Sequence, residues 1–211
     1  MTNRERHYYS IQYFYNAGCT KGFPTRQRLL RNVAAGGPGM IRNQPYFQVR
    51  LIPGMNFTCN GTITGMIVVG EKRSNGSQRM KLNVWKKDES GFFYKAEEFF
   101  LSPNICCKFE NYNKVFDCQL PVKMRVSVGP EDILGIELPH QNVANFELYS
   151  VPESGPTNYI FYGRNHNFSH AIDLSTHTGR TLATSNTQPL IIMRVVQGMY
   201  IIIILLHLKQ P

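Results

Sequence analysis

Apolar and polar residues alternate along much of the chain after residue 45. In VKMRVSV at 122–128, every second residue is Val or Met, and the residues between them are Lys, Arg and Ser. Because successive side chains of a strand point to opposite faces, this pattern predicts a half-buried strand. ILGIELP at 133–139 alternates in the same way, and GPED at 129–132 is typical of a turn. We therefore expect 122–128 and 133–138 to form an antiparallel hairpin.

Short runs of this kind recur along the chain and are separated by turn residues. The predicted strands are 46–52, 57–69, 80–85, 91–95, 114–120, 122–128, 133–138, 146–151, 158–162 and 189–196. No long helical pattern lies among them. Many short strands with regular turns predict an all-β fold, and we expect an antiparallel β-sandwich whose topology is either jelly-roll or Ig-like.

The segment PGMNFTCNGTITG at 53–65 contains two acceptor triplets for N-linked glycan, at Asn56 and Asn60. A glycan is bulky and hydrophilic, so each acceptor has to face water. On one continuous strand Asn56 and Asn60 would share a face, and Cys59 would lie on the opposite face. We therefore expect the acceptors outside and the cysteine inside. Two further acceptor triplets begin at Asn75 and Asn167.

The five cysteines lack the paired spacing of zinc-binding or redox motifs. They are Cys19, Cys59, Cys106, Cys107 and Cys118. Two pairings of Cys118 are open: a bridge to Cys59 across the core, or a local bridge to Cys106 or Cys107. We favour the local bridge, because cysteines that are close in sequence can be brought together at a lower cost in loop-closure entropy. The odd number leaves at least one thiol free or bonded to another chain.

Acceptor triplets and cysteines in strand-rich sequence together favour an extracellular or cell-surface location. The first 22 residues, however, lack the apolar core of a signal peptide. Either the protein is cytosolic or the chain is a fragment of a longer secreted protein, and we prefer the second explanation. MYIIIILLHL at 199–208 is too short to cross a bilayer. It is either the beginning of a truncated membrane anchor or the product of an incomplete gene model.

The net charge of +9 is concentrated near the start of the chain. Residues 1–50 contain eight Lys or Arg and a single acid, a net charge of +7, whereas the other 161 residues carry +2. We predict a basic, Gly/Pro-broken arm and linker at 1–44, a sandwich domain at 45–196 and an apolar tail at 197–211. The arm supports an alternative function, an intracellular protein that binds nucleic acid or anionic lipid through residues 1–40. The nearly neutral body disfavours nucleic acid as the partner.

The sequence contains no motif of a nucleophile elbow, a zinc protease or a phosphate-binding loop. We therefore predict a protein that is not an enzyme and has no cofactor. His166, His170 and His177 are close in sequence, but their spacing fits no known metal site, so no metal is expected. Trp85 is either an exposed aromatic that contacts a ligand or a residue buried beneath a covered face.

Several motifs occur in an order that resembles the extracellular domains of cell-surface proteins expanded in early-branching animals. The motifs are LIPGMNFTCNGTITG at 51–65, KLNVWKK followed by FFYK at 92–95, VFDCQL at 115–120, VSVGPEDILGIELP at 126–139 and GPTNYIFYG at 155–163. The turn at 129–132 departs from the simple Gly-Asp turn of that family. The resemblance implies an extracellular β-sandwich that often precedes a membrane-spanning or receptor segment, with no assigned chemistry. We thus expect a non-catalytic, N-glycosylated binding or recognition module whose partner is an extracellular protein or glycan.

Overall fold

Two antiparallel sheets face each other in the computed structural model of the chain, which confirms the predicted all-β sandwich. The structure describes residues 17–34, 39–40, 47–73, 76–109, 112–139, 144–151, 157–163 and 182–197. The elements are β1 (Thr20–Lys21), α1 (Arg26–Ala34), β2 (Gly39–Met40), β3 (Phe47–Phe57), β4 (Gly61–Lys72), β5 (Met80–Lys87), β6 (Phe93–Leu101), β7 (Cys106–Phe109), β8 (Tyr112–Gln119), β9 (Val126–Val128), β10 (Ile133–Leu138), β11 (Phe146–Val151), β12 (Asn158–Gly163), β13 (Leu182–Ser185), β14 (Gln188–Pro189) and β15 (Ile191–Gln197).

The first sheet has the strand order β13-β12-β3-β10-β5-β6, and β1 pairs with the end of β3. The second sheet has the order β14-β11-β4-β8-β7, and β15, β9 and β2 pair with strands of this path. The long strand β4 is central, since β15 and β11 lie along one side of it and β9 and β8 pair with it as well.

The main core lies between the two sheets. Alternate residues of β5, β10 and β6 face inward from the first sheet, among them Leu82, Leu134 and Phe99. From the second sheet, Phe116 and Phe146 pack edge to face with ring centroids 5.4 Å apart. Each fully buried side chain of this size stabilises the fold by about 1.5–3 kcal/mol relative to exposure.

Helix α1 covers part of the outer face of the second sheet. Its first turn is capped by Thr25, whose Oγ1 accepts a hydrogen bond from the Arg28 amide at 3.2 Å. Leu29 is fully buried against an apolar strip of the sheet that includes Ile67 and Leu190. Residues 17–34, which the sequence interpretation placed in a basic arm, therefore lie against the sandwich. Four of the nine residues of α1 are apolar, and three of them pack against this strip.

The predicted strand 57–69 is in fact divided between the two sheets. Strand β3 ends at Phe57 in the first sheet, and β4 begins at Gly61 in the second. Residues 58–60 cross between the sheets, and the Thr58 amide donates to the Cys19 carbonyl at 3.0 Å. Alternation along a sequence shows which residues face the core, but both sheets share that core, so the pattern does not reveal a change of sheet.

The predicted hairpin of 122–128 with 133–138 is wrong for the same reason. Strand β9 pairs with β4 in the second sheet, whereas β10 lies between β3 and β5 in the first. The turn at 129–132 joins the sheets at the sandwich edge, with the Glu131 amide donating to the Phe57 carbonyl at 2.9 Å. Residues Val122–Met124 form a short 3-10 helix after Pro121, and Val122 is 75% exposed.

No helix among the described residues is long and apolar enough to span a membrane. The apolar segment 199–208 and the histidine-containing segment at 166–177 lie outside the described residues.

Candidate ligand-binding site

Polar side chains line up in rows across the outer face of the first sheet. Strands β10, β5 and β6 lie side by side there, and their register places Glu137, Lys81 and Phe100 opposite one another. The next row contains Gly135, Asn83 and Glu98. Neighbouring rows on one face of a sheet are close enough for long side chains to meet. The sheet register thus gathers three charged groups from three strands, and Lys95 of β6 joins them from a further row.

Glu137 lies at the centre of this charged cluster, although it is only 2% exposed. Its Oε1 accepts hydrogen bonds from the Asn83 Nδ2 at 2.7 Å and from the Lys95 Nζ at 3.0 Å. Its Oε2 lies 3.9 Å from the Lys81 Nζ, an ion-pair distance that is too long for a hydrogen bond. A buried carboxylate needs such partners, because desolvation without them would be costly.

Glu98 completes the cluster from β6. Its Oε1 lies 3.3 Å from the Lys81 Nζ and its Oε2 lies 3.0 Å from the Lys95 Nζ. The two lysines and two glutamates are therefore all in ion-pair contact, and their charges sum to zero. Burial by itself raises the pKa of Glu98, but the hydrogen bond and charge of Lys95, with the charge of Lys81, bring the pKa below its ordinary value.

The pKa of Lys95 is displaced in the opposite direction. Burial by itself lowers this pKa, but the hydrogen bonds to Glu98 and Glu137 and the charges of both carboxylates outweigh burial. The net effect raises the pKa of Lys95 above its ordinary value. Both groups are thus held in their charged forms by one another.

An open cavity of about 410 Å³ adjoins the charged cluster. Lys81, Phe100 and Glu137 form its wall on the sheet, and Pro139 lies at the end of that wall. Residues 77–79, which directly precede β5, also line the cavity. A cavity of this size with a few convergent polar groups is typical of small-ligand sites.

The segment 76–79 is tied to residues 144–145, and these contacts hold this part of the cavity wall in place. Gln78 makes an isolated parallel bridge with Ala144, and the Asn145 amide donates to the Gln78 carbonyl at 2.9 Å. Gly76 lies so close to this segment that an added Cβ would be 2.1 Å from the Ala144 oxygen. A preorganised wall lowers the entropy cost of binding.

Arg79 gives the cavity its net charge. Its side chain is exposed, and it forms no ion pair with any residue in the described part of the chain. Because the two lysines and two glutamates beside it cancel, Arg79 leaves one positive charge uncompensated among the described residues of the site. The Lys81 Nζ also lies over the Phe100 ring, 5.3 Å from its centroid.

Trp85 does not contact this cavity, and its side chain is fully buried. It packs on the outer face of the first sheet with Val49, Leu51, Ile133 and Phe161. The structure therefore corrects the interpretation of Trp85 as an exposed ligand contact. The covered face, left open as an alternative, is the arrangement observed.

The two neighbouring acceptor triplets differ in their surroundings. Asn60 is exposed in the crossing between the sheets. Asn56 is half-buried, because β1 and β10 pair with β3 at this position, and its amide oxygen is buried. The expectation that both side chains face water therefore fits Asn60 and not Asn56. The acceptors Asn75 and Asn167 lie outside the described residues.

Two disulfides join four of the five cysteines. Cys106 of β7 is bonded to Cys118 of β8, which confirms the predicted local bridge. Cys59 is bonded to Cys19 and not to Cys118. Sequence reasoning missed this partner, because residue 19 had been assigned to the arm. Cys107 is the unpaired cysteine, and it is exposed on β7.

The acids of the 129–132 turn stabilise the crossing between the sheets. Asp132 Oδ2 accepts a hydrogen bond from the Gly129 amide at 2.7 Å. Burial raises the pKa of Asp132, although the Gly129 hydrogen bond and the charge of Lys86 partly oppose this effect. Among the described residues, no three His, Cys, Asp or Glu side chains are grouped as metal ligands.

Sequence reasoning missed every residue of the cavity. A signal was present, since Lys81 and Asn83 occupy alternate positions of a strand whose other alternate residues are apolar. Charged residues at outward positions are common on exposed sheets, so this signal predicts a solvated face and not a site. Only the register shows that Lys81, Phe100 and Glu137 form one row.

No protein-family model, curated protein or solved structure matches the chain. The resemblance of the motifs at 51–65 and 126–139 to extracellular domains therefore stays a prediction.

Proposed function

We propose that this protein is a non-catalytic extracellular or cell-surface binding module, N-glycosylated at Asn60, whose ligand occupies the cavity beside β5 and β10. The pair of disulfides is the observation that carries the proposal. Structural disulfides persist in oxidising compartments and are rare in the cytosol. The motif resemblance at 51–65 and 126–139 and the exposure of Asn60 support the same location.

The binding role is supported by the preformed cavity. Its wall combines a buried carboxylate, an aromatic ring and an uncompensated guanidinium, from Glu137, Phe100 and Arg79. These groups suit recognition of a polar ligand, whereas nucleophilic catalysis would need a nucleophile beside a base.

Expression through a secretory host tests the location. We expect secreted protein whose electrophoretic mobility increases after glycosidase treatment. Peptide mapping without reduction should recover the linked pairs Cys19–Cys59 and Cys106–Cys118. The same chain expressed in a reducing cytosol is the control, and it should be less stable. Secreted protein that carries no glycan and has five free thiols would contradict the proposal.

A further inference from the structure

The cavity beside β5 and β10 has a composition that restricts its ligand. Its lining includes Arg79, which has no ion-pair partner among the described residues, and guanidinium groups pair well with carboxylates in a bidentate geometry. A ligand with an anionic group is therefore favoured. A simple inorganic anion fits poorly, because the Glu137 carboxylate also forms part of the wall.

Glu137 requires that the ligand also donate hydrogen bonds. Its Oε1 already has two donors, from Asn83 and Lys95. Among the described residues its Oε2 has only the Lys81 ammonium at 3.9 Å, so it retains the capacity to accept a hydroxyl hydrogen. The ligand should thus carry an anionic group at one end and hydroxyl groups at the other.

Phe100 adds an apolar surface to the same cavity. The ring is half-buried in the β6 row opposite Lys81, and it lines the cavity wall. The carbon-bound hydrogens of a sugar ring can pack against such an aromatic surface. A carboxylate, several hydroxyls and an apolar ring face occur together in acidic sugars.

We propose that this cavity binds the acidic sugar unit of a glycan, with Arg79 pairing with the sugar carboxylate and Glu137 accepting a sugar hydroxyl. Phe100 contacts the apolar face of the sugar with the part of its ring that the Lys81 ammonium leaves open. The volume of about 410 Å³ holds one or two sugar units. This inference rests on the proposed function, since acidic glycans are ligands that an extracellular module meets.

Calorimetric titration of the secreted full chain, with its own N-glycans trimmed, tests the ligand class. The probes are methyl glucuronide, methyl glucoside as its neutral counterpart, and a short polyglutamate peptide. We expect binding of the glucuronide at about millimolar concentration, and at least about tenfold weaker binding of the glucoside. Equal binding of the two sugars, absence of glucuronide binding, or tighter binding of the peptide would each overturn the proposal.

Variants test the residues. Arg79→Gln should weaken glucuronide binding about tenfold, because it removes a charge-assisted pair. Phe100→Leu should also weaken binding while it keeps the side chain apolar. Arg31→Gln is the matched control, since Arg31 is exposed on α1 over the other sheet. If Arg79→Gln binds as the unaltered chain does, the assignment is wrong. Secretion, glycosylation and the disulfides are measured separately, so failure here does not affect them.

Discussion

Trp85 lies directly against the backbone of Gly135 on the neighbouring strand. A Cβ added to Gly135 would be 2.4 Å from the Trp85 Nε1 and 2.6 Å from its Cδ1. The Leu51 Cδ2 closes the site from another side, at 3.3 Å. A side chain at 135 would therefore displace a rigid indole ring that is itself fully buried. The glycine in this strand is explained by the close approach of the tryptophan.

Replacement of Gly135 by alanine should destabilise the sandwich by about 1–3 kcal/mol, because the added methyl group overpacks the Trp85 site. Trp85 is the single tryptophan of the chain, so its fluorescence reports this site alone. We expect a red-shifted emission and an earlier midpoint in urea unfolding. Gly18→Ala is the matched control, since a Cβ at Gly18 meets nothing within 4 Å. Equal stability of the two variants would contradict this account of the packing.

The acceptor triplets at Asn56 and Asn60 should be used unequally. Asn56 lies between two paired strands, and the hydroxyl of its partner Thr58 donates to the Gly18 carbonyl at 2.6 Å. Folding of this region therefore competes with glycan transfer, whereas Asn60 stays exposed. In a secretory host, Asn60→Gln should remove one glycan from the product, and Asn56→Gln should remove none. Mass spectrometry of the secreted variants provides the measurement, and loss of a glycan only in Asn56→Gln would refute the assignment.

The Cys19–Cys59 bond should hold the N-terminal segment on the sandwich. It closes a sequence separation of 40 residues, whereas Cys106–Cys118 closes 12. Chain entropy gives about 4 kcal/mol for the longer closure and about 3 kcal/mol for the shorter one. Replacing Cys19 and Cys59 by alanine should lower stability and speed tryptic cleavage after Lys21 and Arg26.

The Cys106→Ala, Cys118→Ala variant is the control for that experiment. It should also lose stability, but cleavage near α1 in the folded protein should be unchanged, because that bond joins β7 to β8. Limited proteolysis followed by mass spectrometry distinguishes the two. Equal cleavage of both variants at Lys21 would show that the bond to Cys59 does not anchor the segment.

The strands were predictable where local pattern determines them. Strand β10 at Ile133–Leu138 and β11 at Phe146–Val151 have the predicted bounds. Their β-branched and aromatic residues alternate with polar ones or form short continuous runs between turns. Either pattern is sufficient to predict a buried strand. Assignment to a sheet depends on long-range hydrogen bonds, so the crossings at 58–60 and 129–132 were not visible in the sequence.

Helix α1 was missed because the sequence interpretation assigned 1–44 to a Gly/Pro-broken arm, although Thr25 is an N-cap residue. It buries Leu29 because the second sheet offers an apolar outer strip, to which β4 contributes Ile67 and Val69. Residues 66–69 are apolar without interruption, which is typical of a strand covered on both faces, and residues 65–70 are all buried in the structure. The apolar run thus indicates that something packs on the outer face of β4, but it does not show which segment does so. The cavity could not be predicted either, because Lys81 and Glu137 become neighbours only when β5 pairs with β10.

The charged cluster should make stability depend on pH in two separate windows. The pKa of Glu98 is lowered in the folded state, so its contribution is present above the unfolded pKa of about 4.3 and is lost as the pH falls through the folded pKa. The pKa of Lys95 is raised, so its contribution is complete below about 10.4 and is lost as the pH rises through the folded pKa.

Glu98→Gln tests the acidic window. Because Glu98 is about one-third exposed and screened by solvent, we expect the variant to be less stable at neutral pH by only about 0.5 kcal/mol. The difference from the unaltered chain should begin to shrink as the pH falls below about 4, where the unfolded state takes up a proton first, and it should vanish below the lowered folded pKa, where the carboxylate is protonated in both states. The raised pKa of Asp132 acts with the opposite sign, but it is common to both proteins and cancels in the difference. Glu97→Gln, at an exposed neighbouring position, is the control. Urea unfolding at a series of pH values provides the measurement, and a difference that does not change with pH would show that the lysines do not stabilise the Glu98 carboxylate.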